Sequence, residues 1–160
     1  MSVKTKDNSL TLGPKNSGLI SKNSQFINVI GTLEELQSNI GLIFDLGNNQ
    51  TPRNILLNII ESLSDISKNI YCGQNKYESY IDVMNDMENT IKFMQSKIIN
   101  IINMPLGSQL LSQINIARSV TRRAERELVA YDEKLKKHEP AIEFLNKLSN
   151  YLLILCNFLI

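Results

Sequence analysis

Three arginines at four-residue spacing in the second half of the chain, Arg118, Arg122 and Arg126, are the residues best suited to hold a charged ligand. At about 100° per residue, an α-helix places them on neighbouring turns of one face. A guanidinium is permanently charged, and its rigid fork of donors matches the oxygens of phosphate and carboxylate groups. The run therefore predicts an anion site. On composition alone, the alternative is a solvated charged face with internal pairs, such as Arg122 with Glu125.

An apolar stripe runs along the same segment, roughly a quarter-turn from the arginines. It consists of Leu110, Ile114, Ala117, Ala124, Leu128, Tyr131 and Leu135. Ser108 is of the residue type that caps helix N-termini. We expect the helix to continue to Lys136 and Lys137, because positive charge favours a helix C-terminus. The arginines would then flank a seam between packed helices.

Four further helices are predicted from apolar positions that recur every three or four residues. Their expected ranges are 32–47, 52–73, 77–102 and 140 onward. The first begins at a capping box of Thr32 and Glu35, and the second has Pro52 at its first helical position. The apolar positions of the third are Met84, Met87, Ile91, Met94, Ile98 and Ile101. The pattern predicts that these positions face a common core.

Five helices with short connections and almost no β pattern predict an all-α fold, an up-and-down five-helix bundle. A chain of 160 residues with 42% apolar composition is long enough for one domain, 1–160, with a substantial core. Residues 1–30 lack a sustained period and are expected to form an irregular, nucleotide-binding arm. Residues 31–160 are expected to form the helical bundle.

Composition argues against several classes of function. A net charge of +1 without a basic block predicts no nucleic-acid partner. The apolar run at 151–160 is about half the length that spans a bilayer, so no membrane partner is expected. The start of the chain does not read as a secretory signal, which favours the cytoplasm or the mitochondrial matrix. Cys72 and Cys156 do not have zinc-site spacing, and His138 is expected to cap a helix or face solvent.

Several motifs resemble those of one enzyme family. Residues 105–108 read PLGS, residues 117–126 read ARSVTRRAER, and residues 144–152 read FLNKLSNYL. Upstream, residues 31–38 read GTLEELQS, and Lys22 precedes them. In wording and in the gaps between them, these segments resemble the LPGGS, ARxVCRRAER, YLNRLSDYLF and YGTVDELNS motifs of the PduO-type ATP:corrinoid adenosyltransferases.

The resemblance implies a transferase that moves the 5′-deoxyadenosyl group of ATP to the cobalt of cob(I)alamin and releases triphosphate. It implies ATP, Mg²⁺ and cobalamin as ligands. It further implies a homotrimer with sites between subunits, and a reductase or a cobalamin-dependent acceptor enzyme as an additional partner. No protein side chain is assigned as a direct metal ligand.

The resemblance also implies roles for individual residues. Arg118 corresponds to an arginine that pairs with an acid, here Glu34, and Arg122 corresponds to an ATP-binding arginine; the three form the catalytic set. Glu125 would fix arginine geometry or support the metal. The residues expected to bind ATP are Thr5, Asp7, Thr11, Lys22, Arg122, Glu125, Arg126 and Asn146. Ile102 stands where the family has an aromatic side chain on the lower face of the corrinoid.

The chain departs from the family pattern on both sides of the expected site. Residues 5–11 lack the glycines of the family's TGDxGxT phosphate loop, and Ile102 is aliphatic. Two alternatives to the enzyme stay open: a non-catalytic relative that binds ATP or corrinoid, and a helical interaction module with structural arginines. Triphosphate formation separates the enzyme from the relative, and failure to bind ATP identifies the module.

Overall fold

The computed structural model describes residues 8–48, 50–74, 76, 78–104 and 106–160, which form five α-helices and one short β-hairpin. The helices are α1 (Gln25–Gly47), α2 (Arg53–Cys72), α3 (Glu78–Gln95), α4 (Gln109–Asp132) and α5 (Glu139–Phe158). The hairpin consists of the antiparallel strands β1 (Leu10–Leu12) and β2 (Leu19–Ser21). The predicted all-α, five-helix fold is confirmed.

The helices form a closed ring of neighbours. α1 packs against α2 and α4, α5 packs against α4 and α3, and α3 packs against α2. α1 and α4 run antiparallel, since Gln25 at the start of α1 meets Glu127 late in α4, while Asn39 meets Gln113 early in α4. Leucine, isoleucine and methionine side chains dominate the interior of the ring. No helix in the described ranges is long and apolar enough to cross a bilayer.

α1 begins at Gln25, well before the capping box from which the sequence predicted it. Ser24 is the N-cap, and its hydroxyl accepts a hydrogen bond from the Ile27 amide at 3.5 Å. Thr32 lies inside the helix, where its Oγ1 donates to the Asn28 carbonyl oxygen at 2.7 Å. The predicted start at Thr32 was wrong, and the bundle therefore begins before residue 31.

α2 follows its predicted bounds closely. The sequence predicted Pro52 as the first helical residue, but Pro52 is the N-cap and the helix begins one position later, at Arg53. Gly73 ends the helix with a φ of 63°, a left-handed conformation that glycine adopts without the steric cost of a Cβ. Cys72 closes the helix as a free thiol, and Cys156 in α5 is also free.

α3 ends earlier than its apolar pattern suggested. The helix stops at Gln95, so Ile98 packs only partly against the core and Ile101 is exposed in the following loop. The predicted continuation to Ile102 was therefore wrong. Tyr77, the predicted start of this helix, lies outside the described residues.

Asp132 organises the turn between α4 and α5. Its carboxylate accepts hydrogen bonds from the amides of Lys137 and His138 at 2.9 and 3.1 Å. α4 consequently ends at Asp132, the prediction of a helix through Lys137 was wrong, and Leu135 is exposed in the turn. His138 takes the N-cap position of α5 without a side-chain capping bond, and it is buried against the Tyr131 ring. The solvent-exposed interpretation of His138 was wrong.

The N-terminal arm is a docked hairpin over its described part. The turn between the strands needs Gly13, because a Cβ there would collide with the Ser17 side chain. The Lys15 amide donates to the Tyr71 carbonyl oxygen near the end of α2 at 2.9 Å. This bond fixes the hairpin to the bundle, so the prediction of an irregular arm was wrong for residues 10–21.

Candidate functional site

A surface pocket between α4 and α5, which we call the arginine pocket, gathers four of the residues predicted to bind ATP. Its lining residues are Arg122, Glu125, Arg126, Val129 and Ala130 of α4, Glu133 in the turn after α4, and Asn146 of α5. The α4 residues share one side of their helix because they are three or four positions apart. The short turn after α4 folds α5 back alongside it and brings Asn146 to the same place.

Both guanidinium groups of the arginine pocket are accessible to a ligand. Arg122 and Arg126 are exposed, and the ion pairs among the described residues include neither of them. Glu125 is held instead by Asn146, whose Nδ2 donates to Oε1 at 3.0 Å. The internal pair of Arg122 with Glu125 is therefore not formed. An incoming polyphosphate would not have to displace a carboxylate from either arginine.

The predicted ion pair of Arg118 with Glu34 is not formed within the described chain. Glu34 shares a face of α1 with Gln37, which donates to the Ile60 carbonyl oxygen of α2, so Glu34 lies on the side away from α4. Arg118 is half-buried on α4 and lies near the Cys156 thiol. Burial raises the pKa of that thiol to about 11 despite the nearby positive charge, which leaves it protonated and a poor nucleophile.

A different ion pair joins α1 to α4, that of Arg123 with Glu35. One turn further along α1, the Gln113 side chain donates to Asn39 Oδ1 at 2.7 Å. Both contacts were missed from the sequence. The signal that could have found them is the shared face of Glu35 and Asn39, which are four residues apart beside the apolar stripe of α1.

A second concave surface, the loop groove, lies between α4 and the loop that precedes it. Its walls combine four apolar side chains with six polar or charged ones: Met104, Leu106, Ile116 and Val120, and Glu35, Ser112, Asn115, Ser119, Arg123 and Arg126. Leu106 is 72% exposed, so the groove presents apolar surface directly to solvent. Arg126 borders both the loop groove and the arginine pocket. The two surfaces are thus adjacent and share Arg126.

The remaining predicted site residues lie away from the arginine pocket. Thr11 belongs to β1 and Lys22 follows β2, and neither lines the pocket. Thr5 and Asp7 lie outside the described residues. Ile102 is 50% exposed in the loop before α4. Within one chain, the structure therefore brings together the α4 and α5 part of the predicted site without the arm.

A family model described as cobalamin adenosyltransferase matches residues 1–159. The chain belongs to the cobalamin adenosyltransferase family. A corrinoid adenosyltransferase of Bacillus subtilis is 29% identical over 147 residues, covering 84% of this chain and 74% of the relative. A cobalamin adenosyltransferase of Cupriavidus metallidurans is 30% identical over 159 residues, covering 93% of this chain and 82% of the relative.

The fold of this adenosyltransferase family member also matches that of solved structures. One is a variant PduO-type ATP:corrinoid adenosyltransferase from Lactobacillus reuteri, complexed with cobalamin and ATP. It matches with a TM-score of 0.81 at 22% identity, covering 98% of this chain and 90% of that chain. At this identity the likeness establishes the shared fold. The family membership inferred from the sequence motifs is confirmed.

The donor set of this adenosyltransferase family member suits a Mg²⁺ that arrives with a nucleotide. The described residues hold no cluster of three or more His, Cys, Asp or Glu side chains, so they form no all-protein cage for an ion. Mg²⁺ commonly binds one or two carboxylates and completes its shell with phosphate oxygens and water. Glu125, in the arginine pocket beside Arg122, supplies one such carboxylate.

Asn157 is a further residue that sequence reasoning missed in this adenosyltransferase family member. Its side chain, on α5, bonds to both the amide and the carbonyl of Ile102. The partners are 55 residues apart, so local periodicity cannot reveal the contact. The available signal is the residue type, because Asn157 interrupts an otherwise apolar run at 152–160 after five apolar residues.

Proposed function

We propose that this family member transfers the 5′-deoxyadenosyl group of ATP to the cobalt of a reduced corrinoid and releases triphosphate. The observation that carries the proposal is the arginine pocket, where Arg122 and Arg126 have no ion-pair partner among the described residues and lie beside Glu125 and Asn146. Family membership and the relatives' names support the same activity.

The chemistry balances as a displacement at C5′ of the nucleotide. The electron pair of cobalt(I) forms the cobalt–carbon bond, the C5′–O5′ bond breaks, and triphosphate leaves with that bonding pair, so cobalt ends as cobalt(III). The leaving group accumulates negative charge, and guanidinium groups fixed beforehand lower the barrier most effectively. Arg122 and Arg126 would hold the triphosphate in this way. Bound Mg²⁺ would supply further positive charge at the phosphates, with Glu125 as its nearby carboxylate.

The other predicted residues complete the nucleotide side of the proposal. Thr5, Asp7, Thr11 and Lys22 would hold ATP from the arm. Since Thr11 and Lys22 do not line the arginine pocket of their own chain, a site shared between subunits of a homotrimer would unite the two parts. Arg118 and Glu34 are the rest of the predicted catalytic set; they form no ion pair within the described chain, and their catalytic role stays a prediction.

The loop groove is the proposed corrinoid side of the site. A corrinoid is broad and flat, with apolar faces and polar amide edges, and the groove offers apolar side chains next to polar and charged ones. Ile102, in the same loop, would face the lower side of the ring and exclude water from the cobalt. The corrinoid must be reduced to cobalt(I) before the transfer, so a reductase is one predicted partner, and a cobalamin-dependent acceptor enzyme is another. The location in the cytoplasm or the mitochondrial matrix also stays a prediction.

The test is a direct assay of both products. The purified chain is mixed anaerobically with MgATP and cob(I)alamin kept reduced by excess chemical reductant. Adenosylcobalamin, followed by its absorbance, and triphosphate, separated by ion exchange, are expected in equal amounts. Binding of both ligands without either product would identify the non-catalytic relative instead. Failure to bind MgATP in calorimetry would favour the interaction module.

A further inference from the structure

The side chain of Asn157 clasps the backbone of the loop that carries Ile102. The Asn157 Oδ1 accepts a hydrogen bond from the Ile102 amide at 2.7 Å, and its Nδ2 donates to the Ile102 carbonyl oxygen at 3.0 Å. The same Nδ2 donates to the Leu153 carbonyl oxygen one turn earlier in α5 at 2.9 Å. Asn157 is 6% exposed, so these bonds are shielded from water.

The clasp is geometrically complete. The Leu153 bond fixes the plane of the Asn157 amide, and the two bonds to Ile102 then fix the orientation of that residue's backbone. Both Nδ2 protons and the oxygen are used, as required of a buried amide that would otherwise lose its hydration. The contact therefore specifies one position for the Ile102 segment.

Over its described residues, the rest of the loop shows few other contacts that hold it. Among the described residues 99–104 and 106, the hydrogen bonds to Asn157 are the ones that tie the segment to the helices. Most of the segment's large apolar side chains point into solvent: Ile99, Ile101, Ile102, Met104 and Leu106. Such a segment gains little from burial, so its position depends on the clasp.

We infer that Asn157 is a positioning residue that sets Ile102 and the adjoining wall of the loop groove for corrinoid binding. This inference rests on the proposed function, because it assigns the loop to the corrinoid side of the site. The clasp acts on the corrinoid and leaves the arginine pocket unchanged, since Asn157 lies about three helical turns beyond Asn146 along α5. Its loss would free Ile102 to move away from the lower face of the ring.

The test compares Asn157→Ala and Asn157→Asp with wild type and with Asn85→Ala, a substitution of an exposed asparagine on α3. The Asp variant keeps an acceptor for the Ile102 amide but faces the Ile102 and Leu153 carbonyl oxygens with an oxygen in place of a donor. It therefore tests the clasp if the Ala variant fails to fold. Each protein is assayed for MgATP affinity, cob(II)alamin affinity, the four-coordinate fraction of cobalt(II) by electron paramagnetic resonance, and urea unfolding.

Both Asn157 variants should lose roughly tenfold in corrinoid affinity and show less four-coordinate cobalt(II), with MgATP affinity within about twofold of wild type. The Asn85 variant should match wild type in every measurement. Reduced stability of the Asn157 variants with unchanged corrinoid affinity and spectrum would overturn the inference. If the wild type binds corrinoid but forms no adenosylcobalamin, the proposed function fails, while the variants still decide the role of the clasp. If the wild type binds no corrinoid, both fail.

Discussion

Among single side chains, Arg122 is the one on which the proposed chemistry depends most directly. It is exposed in the arginine pocket and has no carboxylate partner among the described residues. Arg122→Ala should cost on the order of 2 to 4 kcal/mol in kcat/KM, because positive charge is lost where triphosphate departs. Arg122→Lys should recover part of this, since a lysine supplies charge without the bidentate fork.

Steady-state assays of adenosylcobalamin formation measure both effects. Lys134→Ala, which removes an exposed positive charge in the turn after α4, is the matched control and should retain wild-type kcat/KM. Equal activity of the Arg122 variants and this control would show that the arginine pocket does not hold the triphosphate.

Tyr151 is a second residue with a testable consequence, this time for stability. Its hydroxyl is buried with no hydrogen-bond partner among the described residues, and burial raises the pKa of the phenol well above its usual value. Tyr151→Phe removes an unsatisfied polar group, so the free energy of unfolding should stay unchanged or rise by about 1 kcal/mol. Urea denaturation measures it. A loss of more than about 1 kcal/mol would mean that the hydroxyl has a partner, such as an internal water.

Residue types and spacing were enough to predict the arginine pocket but not its surroundings. Arg122, Glu125 and Arg126 are local neighbours on one helix, so their common direction follows from the helical repeat. The choice between Glu34 and Glu35 as the acid facing α4 depends on how α1 is rotated in the bundle. That rotation is set by packing against two helices at once, which a local motif does not encode.

At the scale of the elements, apolar periodicity predicted the helices better than capping signals predicted their ends. The stripe of α1 extends upstream through Phe26 and Val29, which are buried, and this period contradicts a start at Thr32. A threonine and a glutamate three residues later form a capping box only where the helix begins. Conversely, Ile98 and Ile101 prolong the pattern of α3 although the helix has already ended at Gln95.

The turn between α4 and α5 should make folding sensitive to mild acid. Burial lowers the pKa of His138 below its usual value of 6.5, while the Asp132 carboxylate opposes this shift and the Lys137 ammonium adds to it. At pH values between the pKa of His138 in the folded chain and its pKa in the unfolded chain, the unfolded chain binds more protons. The contribution of neutral His138 to the free energy of unfolding is therefore fully present above about pH 6.5 and is lost as the pH falls through the folded-state pKa.

Unfolding free energies of wild type and His138→Gln between pH 8 and pH 5 isolate this contribution, because His138 is the one histidine of the chain. The difference between the two proteins should shift in favour of the glutamine variant as the pH falls. A difference that stays constant over this range would show that His138 titrates equally in both states.

For the whole molecule, the separation of arm and arginine pocket agrees with the homotrimer that the family resemblance implies, in which subunits share their sites. Exposed apolar side chains at Leu106, Met104 and Ile116 also leave surface to be covered by a ligand or a neighbouring subunit. Sedimentation at micromolar concentration should give a trimer. Lys22→Ala and Arg122→Ala, each weakly active alone, should regain activity when co-expressed, because about a quarter of shared sites would combine an intact arm with an intact pocket.

A stable monomer with full activity would contradict both the assembly and the shared site. If the protein is a trimer but the co-expressed variants regain no activity, the predicted assembly is correct and the shared site is wrong. The site would then not take Lys22 from one subunit and Arg122 from another. The two measurements therefore separate oligomerisation from site sharing.

The closed ring of helices also dictates an order of assembly during folding. Glu125 and Asn146 are 21 residues apart, whereas Gln25 and Glu127, which join α1 to α4, are 102 apart. From these lengths, closing the longer loop costs about 1.4 kcal/mol more chain entropy. The α4–α5 hairpin should thus form before α1 closes the ring, and Gln113→Ala in the α1–α4 contact should speed unfolding more than it slows folding in stopped-flow experiments. A refolding chain would possess its anion pocket before its ring is complete.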